Sequence, residues 1–314
     1  MAAWRTVVIA TSCHLRVRDR QLVIESREGE RTQLPLADIG VVIVENPQVT
    51  LSAALLSALA QEGTALMSCD SSHLPDGVFA PFGTHSRHTR AARVQAVWSE
   101  PFKKRCWQKI VRAKVSSQAE VLRRVGAEDA ARRLENLVGK VTSGDTTGVE
   151  AQAAQVYWRS LFVNFKRWDG GLDARNGGLN YGYAVLRGAL GRAIAGAGLI
   201  PAFGLHHAGE LNSFNLADDL IEPFRPFVDL LVWGLFLERT GDDPLTREER
   251  MRIAQILGES CIMTERYETL LSATQIIARS LVSAGEQKES RRLILPWMGE
   301  DDVQGEVYEA DGDV

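Results

Sequence analysis

Alternation of apolar and polar residues dominates the first seventy positions. The runs TVVIA, HLRVR, QLVIES and IGVVIVE predict short strands, with turns at Asp19-Arg20 and around Glu28-Gly29-Glu30. HLRVR and QLVIES alternate and so predict one solvated face. The period then changes. LSAALLSALAQEG predicts a helix with Thr50 or Ser52 as its N-cap and Gly63 as its stop, and TALMSC predicts a further strand. No glycine-rich turn joins a strand to a helix, which excludes a doubly wound nucleotide-binding fold.

Residues 70–88, DSSHLPDGVFAPFGTHSRH, show no periodicity and predict a linker or long loop. Beyond them apolar positions recur at helical spacing, predicting helices over 102–124, 129–141, 148–166, 180–196, 218–239, 247–257 and 273–283. The expected class is α+β: a β-rich, β-sandwich-like domain over 1–85, a mostly α-helical domain over 86–298, and an acidic, disordered tail over 299–314.

Composition adds bounds. The chain has 314 residues, 45% hydrophobic and 24% charged, enough for one large or two medium domains. MAAWRTVVIA lacks the pattern of a secretory signal, and FVDLLVWGLFL is interrupted by Asp229 and too short to span a bilayer. A cytoplasmic protein without a membrane partner is expected. Cys13, Cys69, Cys106 and Cys261 are scattered, which predicts inert thiols and neither a disulfide framework nor a structural zinc site.

The formal charge of -4 hides an uneven distribution. Seven acids lie from Glu300 onward with no Lys or Arg, whereas residues 86–124 hold eleven Lys or Arg against Glu100 and Glu120. On the helix expected there, Arg105, Lys109 and Arg112 share one face that could track a phosphate backbone, while Trp107, Ile110 and Val111 can pack. A solvated basic face is the simpler reading of that stripe taken alone.

Candidate chemistry sits in GLHHAGELNSFNLADDLIEPFR, residues 204–225, where an imidazole pair and an acidic cluster flank a polar loop. Bending that loop brings His206 or His207 toward Glu222. Upstream, Glu150 lies on an apolar helical stripe with Ala153, Ala154, Tyr157 and Leu161, a costly place for an unpaired carboxylate. Two plainer readings stand beside these: Thr147-x-x-Glu150 matches a capping box, and Glu222 continues a polar stripe with Asp218, Asp219, Arg225 and Asp229. Two carboxylates and one imidazole would suit Mg²⁺ or Mn²⁺, ions that serve phosphoryl chemistry.

GVEAQAAQVYW around Glu150, RNGGLNYGYAVLRG at 175–188 and GLHHAGELNSFNLADDLIEPFRPFVD at 204–229 resemble the CRISPR-associated protein one family, the catalytic subunit of the spacer integrase. IVENPQVTLS and CDSSHLPDG extend the resemblance over nearly the whole chain, and NSFNLADDLIEPFRP is most similar to members from type II systems. The resemblance implies a β-rich dimerisation domain, a helical catalytic domain, and an endonuclease and integrase activity in which prespacer 3′ hydroxyls attack a CRISPR repeat by metal-dependent transesterification. It implies Glu150, His207 and Glu222 as catalytic metal ligands, with His206 open as an alternative, and Arg225 beside a phosphate. Asn176, Asn180 and Tyr181 fall near the implied DNA path, although core packing is the simpler role for Tyr181. Implied partners are double-stranded DNA, a second copy of the chain, a small ferredoxin-like adaptation subunit and the type II effector nuclease. A structure-specific metal-dependent nuclease and a non-catalytic DNA-binding scaffold are the competing readings.

Overall fold

The structure, a computed structural model, describes residues 5–80, 88–167, 173–237 and 243–299. In chain order the first part holds β1 (Arg5–Ile9), β2 (Cys13–Arg18), β3 (Gln21–Ser26), β4 (Arg31–Pro35), β5 (Ile39–Val44), β6 (Thr50–Leu51), α1 (Ala53–Glu62), β7 (Ala65–Cys69) and β8 (Pro75–Phe79). One sheet runs β1-β5-β7-β8, parallel except for β8, and a second runs β4-β3-β2-β6. Asp19 and Arg20 turn β2 into β3 with φ of 50° and 59°, the mirror-type turn that matches strand twist. Ser52 caps α1 through the Leu55 amide, and Gly63 ends it in the left-handed region at φ 74°.

The two sheets and α1 share a core of residues such as Leu15, Leu22, Ile39, Val42, Leu55 and Leu59. From the other face of the first sheet, Val41, Ile43 and Met67 enter a larger core built mainly by helices. β5 is therefore covered on both faces, which explains why IGVVIV is a nearly continuous apolar run.

Helices follow: α2 (His88–Ala96), α3 (Glu100–Arg124), α4 (Glu128–Val138), α5 (Val149–Leu161), α6 (Ala174–Gly196), α7 (Asn215–Leu220), α8 (Arg225–Leu235) and α9 (Arg247–Ala254). A hairpin, β9 (Ser260–Met263) with β10 (Arg266–Thr269), precedes α10 (Leu270–Gln287). α3 runs through the middle, burying Phe102, Cys106, Trp107, Ile110, Val111 and Val115. Strands then helices is thus the observed order, and none of the described helices is long and apolar enough to cross a membrane.

Several local expectations change. β8 and the start of α2 occupy parts of the expected linker, while residues 81–87, including the 85/86 boundary, lie outside the described residues. β4 and the β9–β10 hairpin carry little apolar alternation and were not foreseen. α6 starts at Ala174, ahead of position 180, where its early glycines serve close helix packing instead of a turn: a Cβ at Gly178 would meet Val232 Cγ2 and Ile253 Cδ1 at 3.3 Å. The expected 218–239 helix is broken into α7, a 3-10 turn at Glu222–Phe224 and α8, with Pro223 and Pro226 in first turns where no N–H is needed. The four cysteines are unbridged, and burial pushes the Cys106 thiol up to about 12. Of the acidic tail, Gly299 is described and its carbonyl accepts a hydrogen bond from Arg124; residues 300–314 lie outside the described residues.

Candidate active site

Three elements far apart in sequence converge on the ammonium of Lys114, which lies one turn beyond the buried Ile110 on α3. Lys114 Nζ stands 2.6 Å from Glu150 Oε1 and 2.5 Å from Glu222 Oε2. Glu150 reaches it from the first turn of α5, and its freedom to do so has a local cause. Asp145 caps that helix, accepting from the amides of Val149 and Glu150 at 2.9 and 3.0 Å. The capping box read from Thr147-x-x-Glu150 is not formed, and Gly148 at the N-cap offers no side chain. The Glu150 carboxylate is spent on Lys114 instead of on its own helix.

Glu222, on the 3-10 turn, is buried and also receives Arg225 Nε at 2.9 Å on Oε1. Burial alone would raise its pKa, but Lys114, Arg225 and His207 outweigh that and hold it below the usual glutamate value. For Lys114 burial works the other way, lowering the pKa, and the Glu222 and Glu150 charges prevail to hold it above the ordinary lysine value. The same balance raises Arg225, whose guanidinium also lies 4.4 Å from the Tyr183 ring centroid.

Beneath this pair Asp229 is buried and accepts hydrogen bonds from Tyr157 (2.9 Å) and Tyr183. Burial dominates there and pushes its carboxyl up to about 6, against the tyrosine hydrogen bonds that oppose it. A cavity of about 150 Å³ opens here, lined by Lys114, Arg167, Tyr183, Glu222, Arg225 and Asp229. A larger hollow of about 480 Å³ between α8 and β9–β10 contains neither of the two carboxylates.

The imidazole pair is set by one buried carboxylate. Asp219 accepts from the backbone amides of Leu205, His206 (3.1 Å) and His207 (3.0 Å), and its Oδ1 lies 2.8 Å from His207 Nδ1. This hydrogen bond raises the His207 pKa despite partial burial, with Glu222 and Asp218 adding to the rise. Gly204 makes the fold-back sterically possible, because a Cβ there would meet the His207 carbonyl at 2.2 Å and Asp219 Oδ2 at 2.7 Å. His206 faces another way, stacked on Trp107 with ring centroids 4.2 Å apart and an interplanar angle of 3°. Asn215 braces the loop by bonding both the amide and the carbonyl of Gly209.

The structure thus brings Glu150, Glu222 and Arg225 together, with His207 near enough to feel Glu222. Among the described residues no three His, Cys, Asp or Glu side chains stand close enough around one point to hold an ion. Of the expected DNA-facing residues, Arg105 and Arg112 are exposed, and Arg112 donates to the Val141 carbonyl at 3.1 Å. Lys109 is engaged inside the protein, its ammonium donating to the carbonyls of Ser290, Arg291 and Leu293 at 3.2, 3.2 and 2.7 Å. Tyr181 packs, with its hydroxyl 2.6 Å from Glu45 Oε1, and Asn176 and Asn180 accept from Arg167.

Sequence reasoning missed Lys114, Asp145 and Asp219. Lys114 carried one usable signal: at i+4 from Ile110 and one residue before Val115, it falls on the packed side of α3, unlike Arg105.

The CRISPR associated protein Cas1 family model matches residues 6–255. The CRISPR-associated endonuclease Cas1 of Neisseria meningitidis serogroup C (strain 8013) is 40% identical over 294 residues, covering 93% of this chain and 96% of that protein. Among solved structures, a casposase bound to integration product superposes with a TM-score of 0.72 at 19% identity, covering 91% of each chain. A Cas6-RT-Cas1–Cas2 complex gives 0.72 at 18% identity, covering 93% of this chain and 36% of that one. With the family model spanning most of its length and a near full-length relative at 40% identity, this chain belongs to the CRISPR-associated protein Cas1 family.

Proposed function

We propose that this chain is the catalytic subunit of a CRISPR adaptation integrase, an endonuclease-family enzyme that joins prespacer 3′-OH ends into a CRISPR repeat by transesterification. The observation that carries the reading is the meeting of Glu150 and Glu222, from separate parts of the chain, at one cationic point beside an imidazole oriented by Asp219. The N. meningitidis relative is named an endonuclease, and the casposase of the same fold is bound to an integration product; both support phosphodiester chemistry here.

Glu150, His207 and Glu222 are the proposed ligands of a divalent ion. Their chemistry fits: Glu222 Oε2 is buried and has a cation beside it but no well-aligned hydrogen bond, and the donor set is mostly hard oxygen. His207 is favoured over His206 because Asp219 holds its Nδ1, leaving Nε2 to ligate, whereas the His206 ring is laid on Trp107. Bound Mg²⁺ or Mn²⁺ would polarise the scissile phosphate and lower the pKa of the attacking hydroxyl. Arg225 supplies fixed positive charge at the phosphate, and Tyr183 orients it from below; Lys114 adds a second, movable positive charge. Arg105 and Arg112 offer outward charge to the duplex; Lys109, also expected to touch DNA, is better suited to bracing α3 against the carbonyls it holds.

The same reading proposes a strand-rich, sandwich-like half within 1–85 that mediates dimerisation and a catalytic half within 86–298, acting in the cytoplasm. It also proposes a small ferredoxin-like partner, supported by the Cas1–Cas2 assembly of like fold, and an association with a type II effector nuclease. A nuclease without joining activity is kept as a second reading by the endonuclease name of the N. meningitidis relative. The scaffold reading loses its main support, since Asp145 takes the amides that Thr147 would cap, Glu150 reaches Lys114 instead of the Thr147 amide, and Glu222 is buried.

The deciding experiment incubates the full chain and its ferredoxin-like partner with Mn²⁺, a duplex bearing free 3′-OH ends and a supercoiled repeat-bearing plasmid. Joined product that disappears in Glu150→Ala is expected. Cleavage of branched DNA with no joined product would favour the nuclease reading, and full joining by Glu150→Ala would overturn the site.

A further inference from the structure

We infer that Lys114 is a built-in rival of the divalent ion: its ammonium holds the point between Glu150 and Glu222 in the resting protein and must leave it before the two carboxylates share a metal. This rests on the metal site proposed above. The geometry carries it through the paired contacts of 2.6 and 2.5 Å from one nitrogen to oxygens of both carboxylates. A lysine suits such a role because its charge is compact and rides on a flexible four-carbon stem, where arginine would hold a rigid fork. The 150 Å³ cavity that Lys114 helps to line gives the displaced side chain somewhere to go.

Charge counting points the same way. Lys114 and Arg225 already balance Glu150 and Glu222. A divalent ion added to that balanced set leaves two positive charges in excess, a state that favours expelling the ammonium from between the carboxylates and welcoming a DNA phosphate. The consequence is thermodynamic: the ion's apparent affinity is reduced by the fraction of molecules in which Lys114 has vacated the point.

The test titrates the full chain with Mn²⁺ alone and reads free Mn²⁺ by electron paramagnetic resonance, with the Mn²⁺-dependent rise in thermal midpoint as a second readout. Lys114→Gln and Lys114→Met should bind Mn²⁺ about tenfold more tightly than the wild type and gain more in thermal midpoint. Glu150→Gln and Glu222→Gln should lose binding. Lys114→Gln keeps a polar group near both carboxylates, so it covers a failure of the methionine variant to fold. Lys114 variants binding no more tightly than wild type, while the glutamine variants of both carboxylates lose binding, would overturn the rivalry and leave the metal site standing. Undiminished Mn²⁺ binding by Glu150→Gln and Glu222→Gln would overturn both.

Discussion

The strand-rich part of the chain and the helical part treat charge in opposite ways. Through β8, ion pairs such as Arg31–Glu25 and Arg20–Glu62 lie on the surface, and the buried carboxylate among the described residues there, Glu45, is at the seam with the helices. The helical part buries Glu120, Asp219, Glu222 and Asp229 and surrounds them with Lys, Arg, Tyr and His side chains and, at Asp219, backbone amides. One region spends its polar residues on solvation and register. The other accepts the cost of desolvating charge, a cost that is repaid only where partners are exact in number and position. The candidate site lies where that cost has been accepted.

The contrast can be broken from the helical side first. Lys114→Met leaves two neighbouring carboxylates without their shared cation and should cost roughly 3–5 kcal/mol of stability by urea unfolding in the absence of metal. A loss below about 1 kcal/mol would mean that the cluster is solvated like a surface pair. Asp229 gives a pH signature. Its folded pKa of about 6 exceeds the ordinary 3.8, so its contribution is fully present below pH 3.8 and is lost as pH rises through 6. The stability of the wild type relative to Asp229→Asn should therefore fall by about 3 kcal/mol across that window, measured as the difference between their pH profiles. At the seam, Tyr181→Phe removes the hydroxyl that Glu45 accepts and should cost about 1–3 kcal/mol in the same unfolding assay. Last, Arg31→Ala in the strand-rich part should leave the unfolding midpoint nearly unchanged, because Glu25 stays partly solvated and keeps Arg16 at 3.4 Å.

Legibility follows the same divide. α1 could be read to its end because Gly63 announces it chemically, and to within two residues of its start at Thr50 or Ser52; β2 and β3 could be read because alternation faces a single core. β9–β10 escaped because its strands are four residues each and its turn places Thr264 and Glu265 at positive φ without the usual Gly or Asn. At the site, Glu150 and Glu222 were readable as unusual, since a carboxylate on an apolar stripe and prolines beside an acid stand out, whereas Arg225 was marked only by the resemblance. Lys114 was one lysine in a segment crowded with basic residues, and its partners lie 36 residues away and farther still. Asp218 and Asp219 are adjacent, yet one pairs with Arg187 while the other is sealed beneath His207; only the backbone direction separates them.

The double covering of β5 bears on how the protein could be dissected. A fragment ending at residue 80 would keep Val42 among its own neighbours but would turn Val41, Ile43 and Met67 out into water as one sticky stripe. Such a piece would be expected to self-associate through that stripe and imitate a dimer whose contact face is an artefact of the cut. Any dimer interface mapped on an isolated N-terminal fragment should therefore be checked in the intact chain by mutating Val41 and Ile43, which lie inside the molecule there.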